Sequence, residues 1–468
     1  MVRRTPSWIE RQVEAVVGDY FPQQLTILDR DTCLSLVQVT VDYAAELGFE
    51  AVDASDVLVR GDDGTVTVTA PELRLTPRSL YRLPAVAFRT LIRMRHDPMQ
   101  WVNGELRGVL AEISSLPKEL DGLTEPQLMD RVNIGISLRD KVFTSRRRHF
   151  LSSFTIKFVS GSIRSADRGS SGRATAGNSP TRRFREDLVR LSRSWRQAAS
   201  DPSKQADLDA ALAEFLAEHG GKGQTFVPLV SDKVWDVDPE ALIATLPAIA
   251  AVDASGDPHP AGSGEPTRRR RLDRRLSRIA TERDWVAYGY EQATRVVRDA
   301  LLRLGERCAA RGILNAREDI FLQSLDSIDA IVRGEAAEFE RRSNRTATVS
   351  TAPARVPGAT IDRSEIAGFG ASPGVAEGPC RVVKSVDQFG ELIPGEILVC
   401  QMTSPAWMPL LAIAGAVVTD RGGMLSHAAI VAREFGKPAV TGTCDATVRM
   451  VSGNKYRIDG TVGKVVSL

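Results

Sequence analysis

The residues of this chain whose types and spacing can do chemistry stand near its C-terminal end, in Thr419-Asp420-Arg421-Gly422-Gly423-Met424-Leu425-Ser426-His427. The stretch from His427 to about Phe435 reads as a helix, with Gly436 where a C′ glycine belongs and Pro438 as a stop. Ser426 is then the N-cap and His427 lies in the first turn. A helix N-terminus has free N–H groups and the positive end of the dipole, so it is a natural place to hold a phosphate. The same field disfavours an imidazolium and biases His427 towards its neutral, nucleophilic form. Gly422 and Gly423 carry no Cβ, so the backbone can turn sharply and a ligand can come close. The chemistry that fits is transfer of a phosphoryl group to one ring nitrogen of His427, its oxygens held by the first amides of the helix and the Ser426 hydroxyl. A histidine that merely caps a turn is the alternative, and the residues around it argue against that.

The elements that must position this turn can be read around it. A strand over Gly415–Thr419, apolar at Ala416, Val417 and Val418, delivers the chain into the glycines. Upstream the pattern is mainly helical: Trp8–Val17, Asp31–Leu47, Ser79–Ile113, Glu125 to about Ile163, Arg185–Ser200, Asp207–Glu218, and a long basic helix from Arg268 to about Arg311. A small β-ribbon is expected over Phe49–Arg60 and Thr65–Leu73, turning at Asp62-Asp63-Gly64. Arg82, Arg89, Arg93 and Arg95 are spaced around a helix and read as a solvated face. Ser160–Arg183 and Val252–Pro266 read as loops, and Arg341–Arg363, without periodicity, as an interdomain linker. In His219-Gly220-Gly221-Lys222-Gly223 a glycine-rich turn carries a lysine that can cradle a phosphate, although the spacing is not that of a P-loop. The expected fold class is α+β: a mainly helical domain over 1–345 with the ribbon at about 49–73, a flexible linker over 346–365, and a C-terminal domain over 366–468.

The run G-G-x-x-S-H-A-A-I-V-A-R-E-x-G-x-P-A-V resembles the phosphohistidine motif of the phosphoenolpyruvate-utilising enzymes, the group of pyruvate phosphate dikinase, phosphoenolpyruvate synthase and the rifampicin phosphotransferases. Ala371–Gly378 resembles the opening turn of that family's swivelling domain, Ile397–Val399 its next buried strand, and Thr403–Pro409 the loop beside the phosphohistidine. The resemblance implies a β/β/α phosphohistidine domain over 366–468 that swings between two active sites. It makes His427 the catalytic residue and Arg421, Gly422, Gly423, Ser426, Arg433 and Thr403 candidates for positioning the phosphoryl group. One departure is Leu425, where the dikinases usually have a threonine, so regulation through that threonine is closed to this chain. A fainter resemblance to the middle domain of the rifampicin phosphotransferases runs through His219–Leu229, Val234–Pro239 and Asn315–Asp326. There Gly221 and Lys222 stand where the family has histidine and arginine. His219, Lys222 and Trp235 are therefore only candidate substrate-binding residues.

Composition bounds what else the chain can be. Its 468 residues leave room for two or three domains, and 43% hydrophobic with 26% charged residues is ordinary for a soluble globular protein. A net charge of +2 offers no global attraction to nucleic acid or membrane. Residues 1–19 have no apolar core of a signal peptide, and no run reaches the length of a transmembrane helix. Five scattered cysteines lack metal-site spacing, which fits a reducing cytoplasm and no metal site. The marks of the family's ATP-grasp domain are missing, and the chain ends about thirty residues after Pro438, too few for the barrel that binds phosphoenolpyruvate in the dikinases. The expectation is a split enzyme. A separate ATP-grasp-type subunit binds ATP and Mg²⁺ and phosphorylates His427, with AMP and phosphate as by-products, and the carrier delivers the group to a small-molecule hydroxyl in the helical domain. Two alternatives stand beside it: a phosphoenolpyruvate synthase-like component acting on pyruvate, and a non-catalytic ligand-binding or regulatory homologue.

Overall fold

The structure is a computed structural model that describes residues 26–46, 53–60, 66–68, 99–143, 179–222, 229–231, 234–236, 239–254, 270–335, 365–423 and 426–468. The expected Trp8–Val17 helix, the Asp62-Asp63-Gly64 turn, the four arginines from Arg82 to Arg95, most of both expected loops and the linker fall outside these residues. The fold class is α+β, with helices before residue 335 and an eight-stranded mixed sheet after residue 365. The chain divides into two compact units, one of residues 1–156, 227–232 and 286–352, the other of 157–226, 233–285 and 353–468.

In the first unit, α1 (Ile27–Glu46) starts four residues before the expected Asp31. Thr26 and Asp29 form a reciprocal box, the Asp29 amide donating to Thr26 Oγ1 and the Thr26 hydroxyl donating to Asp29 Oδ2, which caps the helix early. Of the expected ribbon, residues 49–52, 61–65 and 69–73 lie outside the described residues. Asp53 accepts from the Ser55 amide and starts the short helix α2 (Ala54–Val57) where strand was expected, and β1 (Leu58–Arg60) pairs antiparallel with β2 (Val66–Val68). A helical stretch from Met99 carries a π-helical turn over Val102–Leu106 into α3 (Arg107–Ser115). Helix α4 spans residues 125–143. The long helix α9 (Arg270–Ala310) contributes its second half to this unit, followed by α10 (Leu325–Val332). Leu28, Leu128, Val132, Val297, Leu301, Leu304 and Ile328 form the core. Gly135 allows α4 to lie against α9, because a Cβ there would come within 2.6 Å of a Val297 methyl.

The second unit joins a helical layer to the sheet. Helix α5 (Pro180–Ser200) starts inside the stretch read as a loop, because Ser179 caps it and Pro180 occupies N1. It packs with α6 (Gln205–His219) and α8 (Leu246–Ala254), while α7 (Glu240–Ile243) is a single turn. Arg193 on α5 grips Asp253 on α8 through two hydrogen bonds of 2.8 and 2.9 Å, so α8 continues two residues past Val252, where a loop was expected.

The sheet strands are β3 (Glu365–Ala367), β4 (Phe369–Ser372), β5 (Val375–Val382), β6 (Ile397–Cys400), β7 (Ala416–Thr419), β8 (Ala439–Thr441), β9 (Lys455–Asp459) and β10 (Lys464–Ser467). Their order is β3-β10-β9-β5-β6-β7-β8-β4. β5 through β8 are parallel and the flanking pairs antiparallel. Strands β6, β7 and β8 are buried on both faces and almost wholly apolar, as buried parallel strands are. Leu398, Cys400, Val417 and Ala439 enter the core shared with the helices, and Ile397, Val399, Ala416, Val418 and Val440 line the opposite face with Tyr456, Ile458 and Val465. Helices α11 (Met408–Ile413), α12 (His427–Glu434) and α13 (Ala446–Arg449) complete the domain. One apolar core runs from Phe184, Leu188, Leu191, Phe215 and Leu246 of the helical layer into Phe389, Leu398, Trp407, Leu411 and Val431 of the sheet domain.

Candidate active site

The reactive turn leaves the C-terminal end of β7, the edge at which parallel α/β sheets commonly hold ligands. Gly422 takes a φ of +105°, and a Cβ on it would sit 2.9 Å from the Ser426 side chain. The chain thus folds back onto the cap it is about to form, which only glycine permits at this φ. Gly442, with φ +70°, lies below it, since a Cβ there would meet the Gly422 carbonyl oxygen at 2.7 Å. Ser426 is the N-cap of α12: its Oγ accepts from the Ala429 amide at 3.3 Å, and its carbonyl accepts from the Ile430 amide. His427 is the first residue of the helix and is buried. At the other end Gly436, with φ +64°, completes a Schellman cap, the Lys437 amide donating to the Ala432 carbonyl and the Gly436 amide to that of Arg433.

Asp420 braces the turn. Its carboxylate accepts from the Thr447 amide at 3.0 Å, from the Thr443 hydroxyl and from the Thr447 hydroxyl, tying the exit of β7 to the start of α13. Its burial with Cys400 matters less for chemistry: burial first, then the Asp420 charge, push that thiol up, so Cys400 stays protonated and inert.

Two further hydroxyls stand at the same sheet edge. Thr403 follows β6 and Thr441 ends β8, register-paired with Thr419 at the end of β7. Both side-chain oxygens are buried and meet no hydrogen-bond partner among the described residues. Strand alternation puts Thr419 and Thr441 on the face that carries Val417 and Ala439, the face covered by the helices. The Thr419 hydroxyl is occupied, donating to the Arg421 carbonyl at 2.7 Å. Buried hydroxyls without partners are uncommon and call for a ligand or a water.

The other expected residues divide cleanly. Arg421 lies in the turn, its amide bonded to the Gln401 carbonyl. Arg433 stands six residues along α12, about 9 Å of helix from His427, and its Nε donates to the Ala371 carbonyl at 2.7 Å. The structure thus brings Gly422, Gly423, Ser426, Arg421 and Thr403 to the histidine end and Arg433 to the far end. His219, Lys222 and Trp235 form a separate cluster in the helical layer. His219 Nε2 bonds Asp187 at 2.9 Å between the rings of Phe184 and Phe215, Lys222 lies 5.3 Å over Phe184, and Trp235 stacks on Phe184. Burial first, then the Lys222 charge, lower the His219 pKa to about 4 against the opposing pull of Asp187. Sequence reading missed Thr441; the signal was there, since Val-Val-Thr and Ala-Val-Thr end two neighbouring strands just before Asp420 and Gly442. Among the described residues no group of three or more His, Cys, Asp or Glu converges as a metal site, and no helix is long and apolar enough to cross a membrane.

The site is thus a buried imidazole at the N-terminus of a glycine-turned helix, at the carboxyl edge of a parallel sheet. Residues 392–463 match the family described as PEP-utilising enzyme, mobile domain. An uncharacterised phosphotransferase of Bacillus subtilis (strain 168), YvkC, is 36% identical over 189 residues, covering 35% of this chain and 23% of the relative. The rifampicin phosphotransferase of the same organism is 29% identical over 199 residues, covering 39% of this chain and 23% of its own. The phosphoenolpyruvate synthase of Aeropyrum pernix is 48% identical over 101 residues, covering 21% of this chain and 12% of its own. The chain spans less than a quarter of the length of these curated relatives.

Proposed function

We propose that this chain is a phosphotransferase component that carries a phosphoryl group on His427 and delivers it to a hydroxyl of a small molecule bound in its helical part. The observation that carries the reading is the placement of His427 as the first residue of a Ser426-capped helix, on a Gly422 turn, inside the segment similar to the PEP-utilising mobile domain. In the first step a lone pair of an imidazole nitrogen forms the N–P bond to the β-phosphorus of ATP while its bond to the AMP oxygen breaks, and water then cleaves the β–γ linkage, releasing phosphate and leaving the β-phosphoryl group on His427. In the second, the acceptor oxygen attacks the same phosphorus, the N–P bond breaks, its electrons return to the ring, and the acceptor proton leaves to solvent. Positioning and charge neutralisation do most of the work in such transfers. The first amides of α12, the Thr403 and Thr441 hydroxyls and Arg421 hold the oxygens. Mg²⁺ neutralises charge at the nucleotide step. We assign ATP and Mg²⁺ to a separate ATP-grasp-type subunit and the reaction to the cytoplasm, where the five cysteines, all free, remain reduced.

The relatives favour a small-molecule phosphotransferase over a synthase acting on pyruvate. Similarity to the synthase stops at 101 residues, about the extent of the sheet domain, whereas similarity to the two phosphotransferases runs over 189 and 199. The test is incubation of the purified chain with β- and γ-labelled ATP and Mg²⁺, with and without the ATP-grasp candidate. Acid-labile label from the β position on wild type, absent from His427→Ala, supports the carrier. Label that persists in His427→Ala, or no label under any condition, sinks it and leaves the ligand-binding homologue.

A further inference from the structure

The helical unit contains a buried cation whose hydrogen bonds are not met. Arg139, on α4, has no exposed surface, and none of its three guanidinium nitrogens reaches a hydrogen-bond partner among the described residues. It lies against the face of Tyr290 on α9, whose ring centre is 5.3 Å from the guanidinium carbon. The Tyr290 hydroxyl is itself buried and meets no oxygen or nitrogen partner among the described residues, its neighbour being the Cys33 thiol. Cys33, on α1, is buried beside them, and the Arg139 charge acts on its thiol.

Among the described residues, the groups in direct contact with this point are a guanidinium, a phenol and a thiol. Burial raises the Tyr290 hydroxyl well above its ordinary value and the Cys33 thiol to about 11, so both keep their protons at neutral pH. The carboxylates whose charges act on Arg139 are those of Asp140 and Asp29. Asp29 is committed elsewhere, accepting from the amides and hydroxyls of both Thr26 and Ser231. Its charge offsets that of Arg139 through space without supplying the oxygens that five N–H groups require. Burying a guanidinium in this way is costly, and a planar fork of donors is the recognition group for a carboxylate or a phosphate.

We propose that Arg139, with the Tyr290 hydroxyl, forms an anion-binding site where α1, α4 and α9 meet, taking the carboxylate or phosphate group of a small ligand. The site does not rest on the phosphoryl-carrier reading and stands whether or not His427 is phosphorylated.

The test uses the full chain in chloride buffer, with inorganic phosphate and benzoate as probes, by calorimetric titration and thermal unfolding. Saturable binding of one probe is expected, with a rise in Tm of roughly 5 °C at about a hundredfold excess over Kd. Phosphate as the tighter probe identifies a phosphoryl ligand, benzoate a carboxylate. Arg139→Met is expected to abolish binding while leaving the Tm in chloride unchanged or higher, because it removes an unpaired buried charge. If Arg139→Met does not fold, Tyr290→Phe decides, with binding expected to weaken about tenfold for the loss of one hydrogen bond to a charged group. Failure of both probes to bind wild type, or equal binding by wild type and these variants, overturns the site.

Discussion

At the scale of single residues, the hydroxyls at the carboxyl edge of the sheet and the histidine of the helical layer make separable claims. Thr441 is buried with an unused oxygen, so Thr441→Val removes nothing the fold relies on. Its Tm should be unchanged or slightly raised. If the hydroxyl holds a phosphoryl oxygen, labelling of His427 from ATP should slow by on the order of tenfold to a hundredfold. A normal labelling rate would make Thr441 merely structural. His219 predicts a pH effect instead. Its folded pKa, near 4, lies below the ordinary 6.5. The unfolded chain therefore takes up a proton that the folded chain refuses, and stability present above pH 6.5 is lost as pH falls towards 4. The loss is roughly 3 kcal/mol at most. Urea midpoints between pH 7 and 4.5 should show it, and His219→Gln should flatten that limb. The place of His427 at a helix N-terminus could be picked out in the sequence because its neighbours are punctuation: two glycines, a capping serine and a terminal Gly-Lys-Pro. Arg433 and Lys222 could not be placed that way. A long cationic side chain reaches wherever packing sends it, here to the Ala371 carbonyl and to the ring of Phe184.

At the scale of elements, α12 is where local chemistry and tertiary structure agree at both ends. The expected helix, His427 to about Phe435, is found as His427–Glu434, and the expected strands at 397–399 and 415–419 as Ile397–Cys400 and Ala416–Thr419. Where the reading failed, a short polar side chain decided. Thr26 with Asp29 began α1 early, Asp53 turned half a ribbon into a helical turn, and Ser179 with Pro180 began α5 inside an expected loop. The turn itself gives the sharpest element-level test. Gly422→Ala places a Cβ at φ +105° and against Ser426, which should cost about 1–3 kcal/mol and displace the cap. A Tm drop with loss of labelling is expected; an unchanged Tm would mean that the turn relaxes. Ser426→Ala should cost about 1 kcal/mol by loss of the bond to the Ala429 amide, with Ser426→Gly costing less.

At the scale of the molecule, the sheet domain and the helical layer of α5, α6 and α8 share one apolar core. Residues 365–468 expressed alone would leave Phe389, Leu392, Trp407 and Leu411 without that cover. The fragment should bind a hydrophobic dye and melt below a version of the chain that retains residues 179–254; equal melting with no dye binding would make the shared core dispensable. Composition and periodicity announced an α+β chain but not this partition, because hydrophobic periodicity says which face is buried and not against what.

The two ends of α12 serve different masters. Arg185 on α5 donates to the Glu434 carbonyl at 2.7 Å and lies over the Phe435 ring, while His427 sits about 12 Å away at the opposite tip. The grip on the helical layer and the candidate histidine are thus written on separate residues of one short rod. A protein engineer can exchange the handhold at Glu434 to suit a new scaffold without touching the tip that carries His427.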